Sequence, residues 1–217
     1  MMNGSTDRSE LEHWDASDAS AKVVEYFSLQ ASDYQTKSSR LPWVWVRARE
    51  LAAIRGLMGD VEGREVLELG AGAGFYTRDL VRRGARHVWA VDMSDAMLAM
   101  LPSGPITPVL GDAQTIRLSR RFTLLISTGM LEFVREPAAA LANAAYHAEP
   151  GACFVLLVPR ASLLGRMYRR FHRSHGLWIH LFDRTWFEAT APRTGWLVRS
   201  IVPVLPFSLA IRLVRAE

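Results

Sequence analysis

The sequence predicts an α/β domain built on a doubly wound, mostly parallel sheet of seven strands, with a short helical cover at the N-terminal side. Three observations carry this. From Val61 onward, strand-like and helix-like segments alternate. Two of the strand segments are apolar throughout their centres, as strands buried on both faces are. The first strand runs into a turn with glycines at alternate positions, Gly70, Gly72 and Gly74.

Residues 1–18 come first and are polar and acidic, with Asp7, Glu10, Glu12, Asp15 and Asp18 against Arg8 alone. They are expected to form a disordered tail. Residues 19–60 are predicted to be helical. Ala19–Leu29 follows Ser17 and Asp18 as capping candidates. Trp43–Met58 follows the extended Leu41-Pro42 step and carries Val44, Leu51, Ile54 and Leu57 at helical spacing. GREVLELG then reads as a strand and FYTRDLVRRG as a helix closed by Gly84. HVWAVDM is a strand, and SDAMLAML a helix capped by Ser94. ITPVLGD and RRFTLLISTGM are strands, PAAALANAAYH a helix and ACFVLLVP a strand. Past Pro159, ASLLGRMYRRFHRSHG is a basic amphipathic helix and FDRTWFEATAPRTG a helix starting at Asp183. WLVRSIVPVLPFSLAIRLVRAE makes two closing strands joined by a turn. Residues 19–217 are thus expected to form one domain.

Composition narrows the class. Apolar content is 49% and charged content 22%, as in ordinary globular chains. The single cysteine, Cys153, excludes a disulfide within the chain or a cysteine-rich metal site, and reads as a small buried residue of the fifth strand. The first twenty residues hold no apolar core of the signal-peptide kind. The segment SIVPVLPFSLAI is twelve residues long and carries two prolines, too short and broken to span a bilayer. A cytoplasmic protein is the expectation. The net charge is +4 and only Lys22 and Lys37 are lysines, so the positive charge is almost all arginine.

The glycine turn poses the functional question. A dinucleotide fingerprint reads G-x-G-x-x-G with phosphates on the helix N-terminus. Here the spacing is G-x-G-x-G, and Glu68 stands two positions before the first glycine. A carboxylate disfavours a pyrophosphate and favours an ammonium or sulfonium group. The ligand is therefore expected to be cationic at this end.

Glu68-Leu69-Gly70-Ala71-Gly72-Ala73-Gly74 resembles the E/D-x-G-x-G-x-G first motif of the class I S-adenosylmethionine-dependent methyltransferases. Asp92, 24 residues after Glu68, closes the second strand, and Asp112, 20 residues further on, closes the third. By the resemblance, Asp92 takes the ribose hydroxyls and Asp112 the adenine amino group; ionised carboxylates are pure acceptors for such donors. The resemblance implies a Rossmann-like methyltransferase fold and S-adenosylmethionine as cofactor. It would be held by Glu68, Gly70, Ala71, Gly72, Gly74, Asp92, Met93, Asp112, Ala113, Ser127 and Tyr26. In that reading residues 19–60 are the cover, 61–158 the cofactor-binding core, and 159–217 the acceptor-side insertion with the closing strands.

The implied activity is methyl transfer to an oxygen, nitrogen or carbon atom of a small-molecule acceptor, lipophilic or acidic. The alternatives are an RNA or protein methyltransferase and a non-catalytic S-adenosylmethionine-binding protein. The stretch STGMLEFV, residues 127–134, lacks the proline-containing motif of many amino-methylating members. It has Glu132-Phe133 where metal-dependent members have Glu-His, so no metal is expected. Glu132 either orients or deprotonates the acceptor, or is a helix-start carboxylate bonded to backbone. Tyr26 and Tyr34 are candidates to cover the cofactor, while Trp43 and Trp45 are expected in the core.

Arg160, Arg166, Arg169, Arg170, Arg173 and Arg184 fall in a stretch whose one acid is Asp183. Leu163, Leu164, Met167, Tyr168 and Phe171 add an apolar stripe. Three readings stand: a helix packed by its stripe, an acceptor cover with arginines holding an acidic group, and an interfacial helix over residues 161–173 meeting an anionic membrane. Of His172, His175 and His180, His175 beside Gly176 is the candidate base. With no appended recognition domain, nucleic acid is the lesser reading for a partner.

Overall fold

The computed structural model describes residues 21–29 and 43–217. The acidic tail, the capping candidates Ser17 and Asp18, and Tyr34 lie outside the described residues. Residues 21–29 are helical (α1), and Trp43–Met58 forms α2. The alternation follows as β1 Glu65–Leu69, α3 Phe75–Arg82, β2 His87–Asp92, α4 Asp95–Leu98, β3 Ile106–Leu110, β4 Phe122–Thr128, α5 Pro137–Tyr146 and β5 Ala148–Pro159. The chain closes with α6 Leu163–Ser174, α7 Arg184–Thr190, a 3₁₀ turn Pro192–Thr194, β6 Trp196–Val204 and β7 Ser208–Arg215.

The seven strands form one sheet in the order β3-β2-β1-β4-β5-β7-β6. β1, β2, β3, β4 and β5 run parallel, and β7 joins antiparallel between β5 and β6. The chain winds outward from β1 to β3 and then returns to place β4 on the other side of β1. That reversal opens a crevice beyond the carboxyl ends of β1 and β4, the position where such sheets bind ligands.

Period-two alternation loads both faces of the sheet. Val66, Leu124, Ile126 and Val155 pack on one face with Ile54 of α2 and Leu80 of α3. Leu67, Leu125, Phe154 and Leu156 pack on the other with Leu141 of α5 and Phe187 of α7. Trp196 is fully buried there and its indole Nε1 donates to the Leu141 carbonyl at 2.8 Å. Full burial of an aromatic of this size is worth about 2–3 kcal/mol.

Caps set the helix starts as the sequence suggested. Ser94 accepts from the Met97 amide at 3.2 Å and Asp183 from the Trp186 amide at 2.8 Å. Ser162, not Ala161, begins the basic helix by accepting from the Gly165 amide at 3.1 Å.

Three expectations are corrected. β5 starts four residues before Ala152: Ala148 pairs with Phe122, and a register shift absorbs Pro150 and Gly151, whose φ of 73° is glycine-specific. Trp45 is not in the core; it is 54% exposed, and the Arg49 guanidinium lies 4.1 Å from its ring centroid. Most of the apolar stripe of α6 does not pack inward either: of its five residues, Leu163, Leu164, Met167 and Phe171 are exposed. Gly165, Tyr168 and His172 turn inward instead.

Candidate functional site

A cavity of about 440 Å³ occupies the crevice, within the usual range for small-molecule sites. Its wall begins at the glycine turn. Gly70 and Ala71 donate their backbone N–H groups to the Val91 carbonyl at 2.8 and 3.0 Å, tying the turn to the end of β2. Gly70 has φ 76°, and its Cα faces Met130 beyond β4 so closely that any Cβ would overlap that side chain. Gly72, at φ 53°, has open space where a Cβ would stand, and it faces the cavity. One glycine lets two loops meet; the other leaves room beside the backbone.

Asp92 fixes the next part of the wall. Its Oδ2 accepts from the Gly72 amide at 2.8 Å and its Oδ1 from the Ser94 amide at 2.9 Å. Burial raises its pKa above the ordinary aspartate value, and the backbone donors at Ser94 and Gly72 work in the opposite direction. Asp112, after β3, is held by Gln114, whose backbone N–H donates to Oδ1 at 2.8 Å and whose side-chain amide reaches Oδ2 at 3.0 Å. Met93, Ala113 and Gln114 complete this side.

Glu68 is placed differently from the expectation. It is buried behind the turn, is not among the residues lining the cavity, and accepts from the Thr77 hydroxyl at 2.6 Å. Its second oxygen has no hydrogen-bond partner among the described residues. Burial pushes its pKa up to about 8, against the Thr77 hydrogen bond, with the Asp92 charge adding a smaller push. Its position makes it a tether between β1 and the start of α3. Ser127 is also buried off the cavity wall, its hydroxyl without a hydrogen-bond partner among the described residues. Gly74, φ 79°, precedes α3 against Leu101 and Pro102 and does not line the cavity.

The far end of the cavity is aromatic and acidic. Tyr26 and Phe27 of α1 line it with Phe133 and Phe171, and the Phe27 and Phe133 ring centroids lie 5.1 Å apart. Among these rings sits Glu132, 3% exposed, whose Oε2 has no hydrogen-bond partner among the described residues. Burial pushes its pKa up to about 8, and the nearby Glu50 charge adds to the shift. Glu50, on α2, lines the same cavity and accepts from the Ser208 hydroxyl at 2.6 Å. Burial raises its pKa as well, against the Ser208 bond and the Arg47 charge.

His175 is not brought to this wall. It is exposed at the C-terminus of α6, and its Nδ1 pairs with the Phe171 carbonyl at 2.9 Å. His172, three residues earlier, takes the inward phase and lines the cavity, its Nδ1 without a hydrogen-bond partner among the described residues. Burial drives its pKa down to about 4, with the His175 charge adding to the shift, so the ring is neutral at pH 7. His180 lies outside the lining, and its backbone N–H donates to the Glu132 carbonyl at 2.8 Å. Among the described residues no group of three or more His, Cys, Asp or Glu could hold a metal ion.

Glu50, Gln114 and His172 went unassigned in the sequence. For Glu50 a signal existed: it stands between the buried Val46 and Ile54 at steps of four, an acid on an inward helical stripe. His172 shares its phase with Tyr168 in the same way.

The cavity residues fit an adenosyl sulfonium ligand. Asp92 and Asp112 offer acceptors to hydroxyl and amino donors, and Gly72 leaves space beside the backbone.

The family model described as a methyltransferase domain matches residues 44–201. Two probable histone-arginine methyltransferases CARM1 of rice, from Oryza sativa subsp. indica and subsp. japonica, are each 32% identical over 87 residues. That match covers 36% of this chain, and the chain spans 16% of those relatives' length. Among solved structures, an S-adenosylmethionine dependent methyltransferase from Mesorhizobium loti superimposes with TM-score 0.67 at 19% identity, covering 77% of this chain and 98% of that one. Magnesium protoporphyrin IX methyltransferase from Synechocystis PCC 6803, solved with bound SAH, gives TM-score 0.72 at 16% identity, covering 91% of this chain and 100% of that one. These structures share the fold. With the family model spanning most of its length over that fold, the chain belongs to the methyltransferase-domain family.

Proposed function

We propose that the chain methylates an oxygen, nitrogen or carbon atom of a small, largely apolar molecule, with Glu132 facing the acceptor. The observation that carries this is a buried carboxylate, one oxygen of which has no partner among the described residues, on a wall rich in aromatic side chains. The lining supports a lipophilic acceptor over an acidic one. Two carboxylates and a neutral histidine stand at this end; among the described residues Arg47 is the one arginine in the lining and its charge acts on Glu50, while Arg160, Arg166, Arg169, Arg170, Arg173 and Arg184 are all absent from it.

S-adenosylmethionine, when bound, supplies a methyl group already activated on a sulfonium. Asp92 would hold the ribose hydroxyls, and Asp112 with Gln114 the adenine edge. Positioning of the acceptor supplies much of the rate in such a displacement, and a base is needed only for an acceptor that carries a proton. Glu132 would take that proton on Oε2. A cation bound nearby stabilises the ionised carboxylate and lowers its pKa toward neutrality, where a base is most effective. Tyr26, Phe27 and Phe133 would exclude water. Tyr34 remains a candidate for the same cover, and His172 accepts a hydrogen bond rather than a proton.

The test is formation of S-adenosylhomocysteine against a panel of lipophilic amines, phenols and acids. Glu132→Gln should bind S-adenosylmethionine as wild type does and lose turnover. Wild-type turnover in that variant contradicts the role of Glu132. Donor binding without transfer to any acceptor favours a non-catalytic binding protein.

A second reading is a cationic acceptor on a protein chain. The Glu50 and Glu132 carboxylates and the partial likeness to the rice proteins favour it. Arginine-containing peptides in the panel decide it.

A further inference from the structure

Methyl transfer leaves the outer face of α6 unused. Leu163 is 68% exposed, Leu164 46%, Met167 61% and Phe171 54%. At about 100° per residue these four share an arc of roughly 100°. The inward side of the helix is already satisfied by Gly165, whose position permits no Cβ beside the Arg160 carbonyl, and by the buried His172. An apolar stripe left in water on one short helix marks an interaction surface.

Charge identifies the partner. Arg166, Arg169, Arg170 and Arg173 occupy the adjoining arc of the helix, and no Asp or Glu occurs from Arg160 to Phe182. The stripe is continuous with the cavity, since the half-exposed Phe171 lines it and Tyr168 lines it one turn earlier. Beside them, Phe207 stacks on Tyr168 at 5.2 Å, and Leu205, two residues before it, is 60% exposed.

We propose that this face docks on an anionic lipid bilayer, with the stripe in the headgroup boundary, the arginines on lipid phosphates and the Phe171 edge of the cavity toward the membrane. A second copy of the chain would bring like charges together. A polyanion such as RNA would satisfy the arginines and leave the stripe in water. A bilayer of anionic lipid satisfies both. One consequence rests on the proposed function: the acceptor is a membrane-resident amphiphile that enters past Phe171.

The experiment is sedimentation of the full chain with vesicles of phosphatidylcholine alone and of phosphatidylcholine with phosphatidylglycerol, without donor or acceptor. Binding is expected to the anionic vesicles and to weaken with salt. The double variants Leu163→Asp with Met167→Asp, and Arg166→Glu with Arg170→Glu, should each reduce partitioning about tenfold or more. None of these four side chains lines the cavity, so titration with S-adenosylmethionine should be unchanged and certifies the fold. Failure to bind anionic vesicles, equal binding to both vesicle types, or wild-type binding by either double variant overturns the proposal. A stripe buried by self-association in solution, with vesicle binding lost, overturns it too. Because vesicle binding needs no turnover, its failure is separate from failure of the methyl-transfer reading.

Discussion

Substituting alanine for each of the first two glycines of the turn should separate a structural role from a ligand role. At Gly70 a side chain must adopt a φ near 76°, which costs about 1–2 kcal/mol outside glycine. Its Cβ would also overlap Met130 Cβ and lie 2.5 Å from Met130 Cγ. Met130 Cβ is fixed to its backbone, so the β1 and β4 loops must part, at roughly 1–3 kcal/mol. The total, about 2–5 kcal/mol, is a large share of the 5–15 kcal/mol that stabilises most domains. For a chain of this size it lowers the melting temperature by about 5–15 °C. At Gly72 the φ of 53° carries only the backbone cost, because a Cβ there meets nothing within 4 Å. Its methyl group would instead project into the cavity. Gly72→Ala should therefore melt within about 5 °C of wild type yet bind S-adenosylmethionine about tenfold more weakly or worse. Thermal unfolding and calorimetric titration measure the two effects. A Gly70→Ala protein that melts with wild type, or a Gly72→Ala protein that binds like wild type, refutes this division of labour.

Further outcomes follow from the same geometry. Asp92→Asn loses ionised acceptor strength toward the ribose and must turn an amide NH₂ toward either Gly72 or Ser94; affinity for S-adenosylmethionine should fall about 10- to 100-fold by calorimetry. For a proton-bearing acceptor, Glu132 must be ionised, and burial raises its pKa to about 8, so turnover should rise with pH, reach half its maximum at or below about pH 8, and level above that. A Glu132→Gln profile with the same rise contradicts the assignment. His172 has its pKa pushed down to about 4 when folded, against about 6.5 unfolded. The unfolded chain therefore protonates first, and the stability is fully present above pH 6.5 and lost as pH falls toward 4. Between pH 7 and pH 5 this amounts to about 2 kcal/mol. His172→Phe should remove that loss, read as the difference between variant and wild-type unfolding. The comparison matters because the raised values of Glu68 and Glu132 act oppositely, their contribution being present below pH 4.5 and lost as pH rises through 8.

The parts of the site legible in the sequence are those decided locally. The left-handed turn is written in Gly70 and Gly72, and Asp92 and Asp112 follow strand ends that the alternation defines. Side-chain direction is decided by packing and was read less well. Glu68 precedes the turn by two residues, which cannot say whether its carboxylate reaches forward into the cavity or back to Thr77. His172 and His175 are one helical turn apart, and only the contacts of α6 choose His172 for the wall. The same contacts left Leu163 and Met167 in water although their spacing suggested a packed stripe. Glu50 could have been found, because an acid at a step of four from Val46 and Ile54 must face inward.

The most direct test of the central claim is calorimetric titration of S-adenosylmethionine into the wild-type protein, with NADH as the competing nucleotide. The account predicts saturable binding of S-adenosylmethionine, weakened in Gly72→Ala and Asp92→Asn, and none of NADH. Binding of NADH in its place, or of neither, contradicts it.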